Sequence, residues 1–138
     1  MQVTEDTQLQ RNVFHICSTL TFYSAVISHS YYAMFYMAKS YLAHKGITIK
    51  APNEHKKVCD AFRSFVNSGE LDVELWRVYE QNLIRADSLL HIFDVERKKR
   101  GSFTYQKLAQ ANKEPANQSL HNARFFLRHL YAVLGSTE

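Results

Sequence analysis

A chain of 138 residues suits one domain around one core, and 46% hydrophobic content sets it apart from disordered sequences. Seventeen basic against thirteen acidic residues leave a net charge of +4, which permits phosphate binding without requiring it. Cys17 and Cys59 form neither a CxxC nor a disulfide framework, so a reducing cytoplasm is the expected location.

Only four Gly and two Pro punctuate the chain, which favours a few long helices over many short strands. The polar start MQVTEDTQLQ is not read as a leader, and no later stretch is apolar enough to span a bilayer. A first helix is expected from near Thr4, with Glu5 and Asp6 in its favourable first turn and Val13, Ile16, Cys17 and Leu20 as its stripe. A short connection at Thr21 to Tyr23 leads to the central helix, Ser24 to Lys45. There Ile27, Tyr31, Met34, Ala38 and Tyr41 recur at spacings of four and three. At about 33 Å this helix would cross a small domain and be buried on more than one side. Gly46 is its expected cap.

Asn53 should cap a third helix with the stripe Val58, Phe62, Phe65 and Val66, closed by Asn67-Ser68-Gly69. Asp72 should cap a fourth, with a staple between Leu71 and Trp76. Its seam is Trp76, Tyr79, Leu83, Ala86, Leu90 and Phe93, running to about Lys99 and stopped by Gly101. Ser102 to Lys113 reads as a connection. Pro115 then fits the first turn of a last helix carrying Leu120, Ala123, Leu127, Leu130 and Leu134. The fold class is all-α, an up-and-down bundle of about five helices forming a single domain over residues 1–138.

Ser28-His29-Ser30-Tyr31-Tyr32-Ala33-Met34-Phe35-Tyr36 followed by Lys45-Gly46, then Glu54-His55-Lys56, then Gly69-Glu70-Leu71-Asp72, carry a family resemblance in order. The basic run Arg97 to Arg100 with Phe103 and Tyr105, and Ala123-Arg124-Phe125-Phe126-Leu127, complete it. The sequence resembles the HEPN superfamily (higher eukaryotes and prokaryotes nucleotide-binding), in its small prokaryotic form. The resemblance implies a cytoplasmic helical bundle, commonly a homodimer, often paired with a nucleotidyltransferase in a toxin–antitoxin-like arrangement. It departs from the family where His29 replaces an Arg, and where Tyr105 stands in place of the His of ribonuclease-active members.

Three candidate constellations follow. Arg97, Lys98, Lys99 and Arg100, with Tyr105, could hold a phosphate and stack a base. The same cations also complement a helix C-terminus, so the cluster is open to a structural reading. Arg85 and His91 match a ribonuclease spacing, with His as acid or base and Arg stabilising phosphorane charge. On one helix they would diverge by about 120°, so each needs a partner from another helix or a second subunit. His91 could equally be satisfied by Asp87 or Asp94 on the helix surface. Arg124 and His129 fit the spacing too but diverge by about 140°.

His29 could face the core or a dimer cleft, a hydrogen-bonded core place being the commoner case, and His55 is expected on the surface of a charged first turn, with anion binding at that helix start as its functional alternative. The chain has no HxxxH, HExxH, GxxxxGK or GxGxxG, so no metal and no cofactor is expected. The leading expectation is a nucleotide- or RNA-binding module. The alternatives are a metal-independent ribonuclease using Arg85 and His91 across a dimer cleft, and a non-catalytic protein-interaction scaffold.

Overall fold

The computed structural model describes residues 5–80, 84–103 and 113–135, with side chains described except those of 5–21, 102 and 103. Among the described residues five helices follow one another: α1 (Glu5–His44), α2 (Glu54–Asn67), α3 (Glu70–Tyr79), α4 (Ala86–Phe103) and α5 (Lys113–Gly135). They form an all-α up-and-down bundle in which α1 packs against α2, α4 and α5.

The central stripe is where the sequence puts it: Ile27, Tyr31, Met34, Ala38 and Tyr41 are all fully buried. Around it lie Val58, Phe62 and Val66 of α2, Leu71 and Leu75 of α3, Leu89 and Phe93 of α4, and Phe126 and Leu130 of α5. Phe62, Phe93 and Phe126 meet as a triad with ring centroids 5.5 to 5.8 Å apart in edge-on and tilted geometry. Such pairs add about 0.5–1.5 kcal/mol each beyond their buried area. Gly46 ends α1 with φ +83°, a left-handed backbone that costs a residue without Cβ nothing.

Three expectations about segmentation are corrected. The first and central helices are one: α1 runs through Thr21 to Tyr23 without a break, because no Gly or Pro interrupts that stretch. The expected fourth helix is two, because Glu80 turns left-handed at φ 50° and its N–H closes on the Trp76 carbonyl at 2.7 Å. That break resets the phase of the seam. Ala86, Leu89, Phe93 and Glu96 face inward on α4, Leu90 is only partly buried, and Trp76 is 54% exposed instead of stapled to Leu71. Leu83 lies outside the described residues. Asp72 does not start α3, which opens behind Gly69. Its carboxylate instead accepts the Ala86 N–H at 2.8 Å, so it caps α4 across the break.

Further differences are local. Asn53 stands before α2 in a left-handed conformation and makes no side-chain cap bond. α4 continues through Gly101 to Phe103, since a glycine in a helix is a cost of about 1 kcal/mol and not a stop. Pro115 sits in the first turn of α5, where its missing N–H is harmless.

Candidate nucleotide-binding site

The site is built where the middle of α1, the start of α2 and the last turns of α4 meet. Tyr31 and Tyr32 are consecutive on α1, so their rings leave the helix about 100° apart. Tyr31 is fully buried and Tyr32 half-buried. The guanidinium of Arg100 lies over both rings, 4.6 Å from the centre of the Tyr32 ring and 5.5 Å from that of Tyr31. It also donates a hydrogen bond to the Tyr32 hydroxyl. A planar cation over two aromatic faces is held by the ring quadrupoles as well as by the hydrogen bond.

His55 closes the cluster from α2. Its ring stacks on Phe35 with centroids 4.1 Å apart, lies against both tyrosines, and places Nδ1 2.8 Å from the Tyr31 hydroxyl. Burial pushes the His55 pKa down; the Arg100 charge adds to that, Glu54 opposes it, and Arg97 adds a further downward push. Burial pushes the Tyr31 phenol up to about 12, with Arg97 and Arg100 opposing. At neutral pH the pair is therefore a neutral imidazole beside a protonated phenol, in a pocket whose charge is cationic. Lys39 and Glu54 form an ion pair at its edge.

One turn along α2, buried Cys59 donates to Asp94 at 3.3 Å, and Asp94 is held by Arg63 at 3.2 Å. Burial and that carboxylate push the Cys59 thiol up, so it is inert as a nucleophile.

The basic run divides by helix face. Arg97 and Arg100 turn toward α1 and α2, where the charge of both reaches Tyr31 and His55. Lys98 is exposed. Lys99 points the other way. Its ammonium binds Glu96 at 2.9 Å, Ser119 Oγ at 3.0 Å and the Pro115 carbonyl at 3.1 Å, tying α4 to α5. Glu96 is fully buried and also accepts from Ser119 and Asn122. Tyr105 lies outside the described residues.

Arg85 precedes α4, exposed, with a long 3.9 Å contact to Asp87. It stands immediately before the helix, and its carbonyl accepts the Ser88 N–H at 3.0 Å. His91 is exposed on α4. Arg124 is exposed on α5 and His129 is buried against the Phe125 carbonyl at 2.6 Å, so these two diverge as expected. His29 is exposed and not a core residue, because its side of α1 meets an open groove and not a neighbouring helix.

His55 and the tyrosine pair are what reasoning from spacing undervalued. Their signal was present in pieces, since Tyr31-Tyr32 and Glu54-His55 both belong to the resemblance, but nothing local says that the two pieces touch. Among the described residues, no group of three or more His, Cys, Asp or Glu is placed to hold a metal ion. None of the helices there is long and apolar enough to cross a membrane.

A protein-family model described as "HEPN domain" matches residues 16–132. No curated protein and no solved structure matches the chain.

Proposed function

The chain belongs to the HEPN domain family, and from that premise we propose that it is a nucleotide- or RNA-binding module of one HEPN-type domain over residues 1–138. Its phosphate-contacting groups are Arg97 and Arg100. Lys98 adds charge at the rim, and Tyr105 offers a ring for a base. Lys99 belongs to the α4–α5 contact and supports the site from behind.

One observation carries this reading. The Arg100 guanidinium is stacked over Tyr32 and Tyr31 beside a neutral His55, with Arg97 close enough to act on both Tyr31 and His55. A fixed planar fork of donors recognises phosphate oxygens at low entropic cost. The neighbouring aromatic faces give a base something to stack on.

The family adds the remaining parts of the proposal. The protein acts as a homodimer in the cytoplasm, in a toxin–antitoxin-like pair with a nucleotidyltransferase, and this partner is supported by the family resemblance alone. The deciding experiment is fluorescence anisotropy with short single-stranded RNA and with ATP across a salt series. Arg97→Gln with Arg100→Gln should weaken binding and flatten its salt dependence. Affinity surviving that double change would overturn the site.

A further inference from the structure

On one flank of the bundle a furrow runs between α1 and α5. Phe22, Val26, His29 and Ala33 form its α1 side, at spacings of four, three and four that keep them on one face. Leu120, Arg124 and Leu127 form the α5 side. The hollow between them holds about 390 Å³ and leads into a second of about 420 Å³, with which it shares Arg124 and Leu127. Ala25, Ala33 and Ala123 stand where larger side chains would fill the space. Ala33 leaves α1 about 100° from Tyr32 and Met37 about 140°, so the furrow is separate from the nucleotide site.

The chemistry changes along the furrow. Phe22, Val26, Leu120 and Leu127 make the first hollow apolar over most of its length. The second adds Arg128 and Tyr131, so two guanidinium groups stand at that end. No acid is among the residues that line either hollow. A second copy pressed furrow to furrow would bring four arginines together without a counter-charge.

The width decides what can lie there. Phe22 to Ala33 spans about 17 Å of helix. A volume of about 390 Å³ over that length leaves a cross-section of about 23 Å². An α-helix, about 10 Å across with its side chains, is too wide to enter. An extended peptide is narrower, but its N–H and C=O groups would face apolar walls without partners. A single hydrocarbon chain fits the width and has no polar group to satisfy along its length. At about 1.3 Å per carbon, roughly a dozen carbons span the first hollow. The arginines beyond it call for an anionic head. An apolar cavity of this size with a few polar groups at one end is the usual form of a small-molecule site between helices.

We propose that the α1–α5 furrow binds a free fatty acid of about twelve to fourteen carbons, its chain in the first hollow and its carboxylate at Arg124 and Arg128. Nucleotide binding on the other face of α1 is not required for it.

The test is isothermal titration calorimetry of the full chain with octanoate, decanoate, dodecanoate, tetradecanoate and hexadecanoate, each below its micelle concentration. One equivalent should bind, about fourfold tighter per added methylene, and the gain should stop past tetradecanoate. Arg124→Gln with Arg128→Gln, both exposed on α5, should weaken dodecanoate about tenfold or more and leave the step per methylene unchanged. Ala33→Phe, with its fold checked by circular dichroism, should fill the hollow and remove the dependence on chain length. Dodecyltrimethylammonium, with the same chain and the opposite charge, should not bind. Equal binding of that cation, or fatty-acid affinity that both variants leave intact, overturns the proposal. So does the absence of saturable binding. In that case flotation of the chain with anionic phospholipid vesicles would make the furrow a membrane contact, and a doubled mass by light scattering would give it to a second copy.

Discussion

The Tyr31 hydroxyl lies 2.8 Å from Nδ1 of His55, joining the middle of α1 to the first turn of α2. With the phenol raised to about 12, Tyr31 stays protonated at neutral pH and shares a hydrogen bond with Nδ1. The His55 pKa lies below 6.5, with burial first among the causes and Arg100 next. A group with a depressed folded pKa binds fewer protons folded than unfolded. The stability from neutral His55 is thus fully present above the ordinary histidine value and is lost as pH falls below it, through the folded value. A histidine-resolved NMR titration should place the His55 midpoint below the ordinary histidine value. Arg100→Gln should raise its midpoint, and an unchanged midpoint would mean that the arginine is not where its charge matters.

The fully buried stripe from Ile27 to Tyr41 was legible because helical periodicity is a property of neighbouring residues. So was the cap at Gly46, which depends only on local backbone freedom. The break at Glu80 was not, because nothing in the residue type announces a left-handed backbone there, and missing it sent Trp76 to the wrong side. The site was legible as a basic cluster and no further. Lys99 faces Ser119 and Pro115, His55 faces Tyr31, and such pairings across distant parts of the chain leave no trace in spacing.

Glu96 is fully buried and depends on Lys99 for its counter-charge, with Ser119 and Asn122 as further donors. Lys99→Met leaves that carboxylate buried without its cation, at a cost of about 3 kcal/mol. Chemical denaturation should show this loss. Replacing Arg97 by Gln, on the opposite face of α4, should change stability far less and RNA affinity far more. If Lys99→Met proves neutral in stability but impairs RNA binding, the division of the basic run by helix face is wrong.

Tyr41 donates to Glu74 at 2.6 Å, and Lys45 meets the same carboxylate at 2.9 Å. Burial, followed by the Glu74 hydrogen bond, pushes the Tyr41 phenol far above its ordinary value. For Lys45, burial pulls down and Glu74 with Glu70 pushes up, with a net upward result. The second Glu74 oxygen, Oε2, is buried with no hydrogen-bond partner, so the carboxylate already bears a desolvation cost that Tyr41 and Lys45 offset. Tyr41→Phe removes a donor without changing shape and should cost about 1–3 kcal/mol in thermal or urea unfolding. A cost near zero would mean that the carboxylate finds another donor.

RNA binding by the proposed site should weaken steeply with salt, because single strands release about 0.7 counterion per phosphate neutralised. Arg97→Gln and Arg100→Gln should each lower the slope of log affinity against log salt by about that amount. Arg100→Lys keeps the charge but loses the planar stack on Tyr32, so it should preserve the slope while lowering affinity at every salt concentration. Equal affinity for Arg and Lys at this position would reduce the site to a point charge.

His91 and Arg85 are both exposed, on and just before α4, and the reading of the protein as a ribonuclease depends on a second subunit completing the pair. The binding-module reading gives them no part in RNA contact. His91→Ala should therefore leave the anisotropy titration unchanged within about twofold, and neither wild type nor variant should cleave labelled single-stranded RNA or tRNA, with or without EDTA. Cleavage by the wild type that resists EDTA and is lost in His91→Ala would make the protein a metal-independent ribonuclease, with His91 as acid or base and Arg85 on the phosphorane. Cleavage that survives His91→Ala but fails in His55→Gln would instead move the chemistry to the imidazole beside Arg100, whose pKa burial and then the Arg100 charge push down.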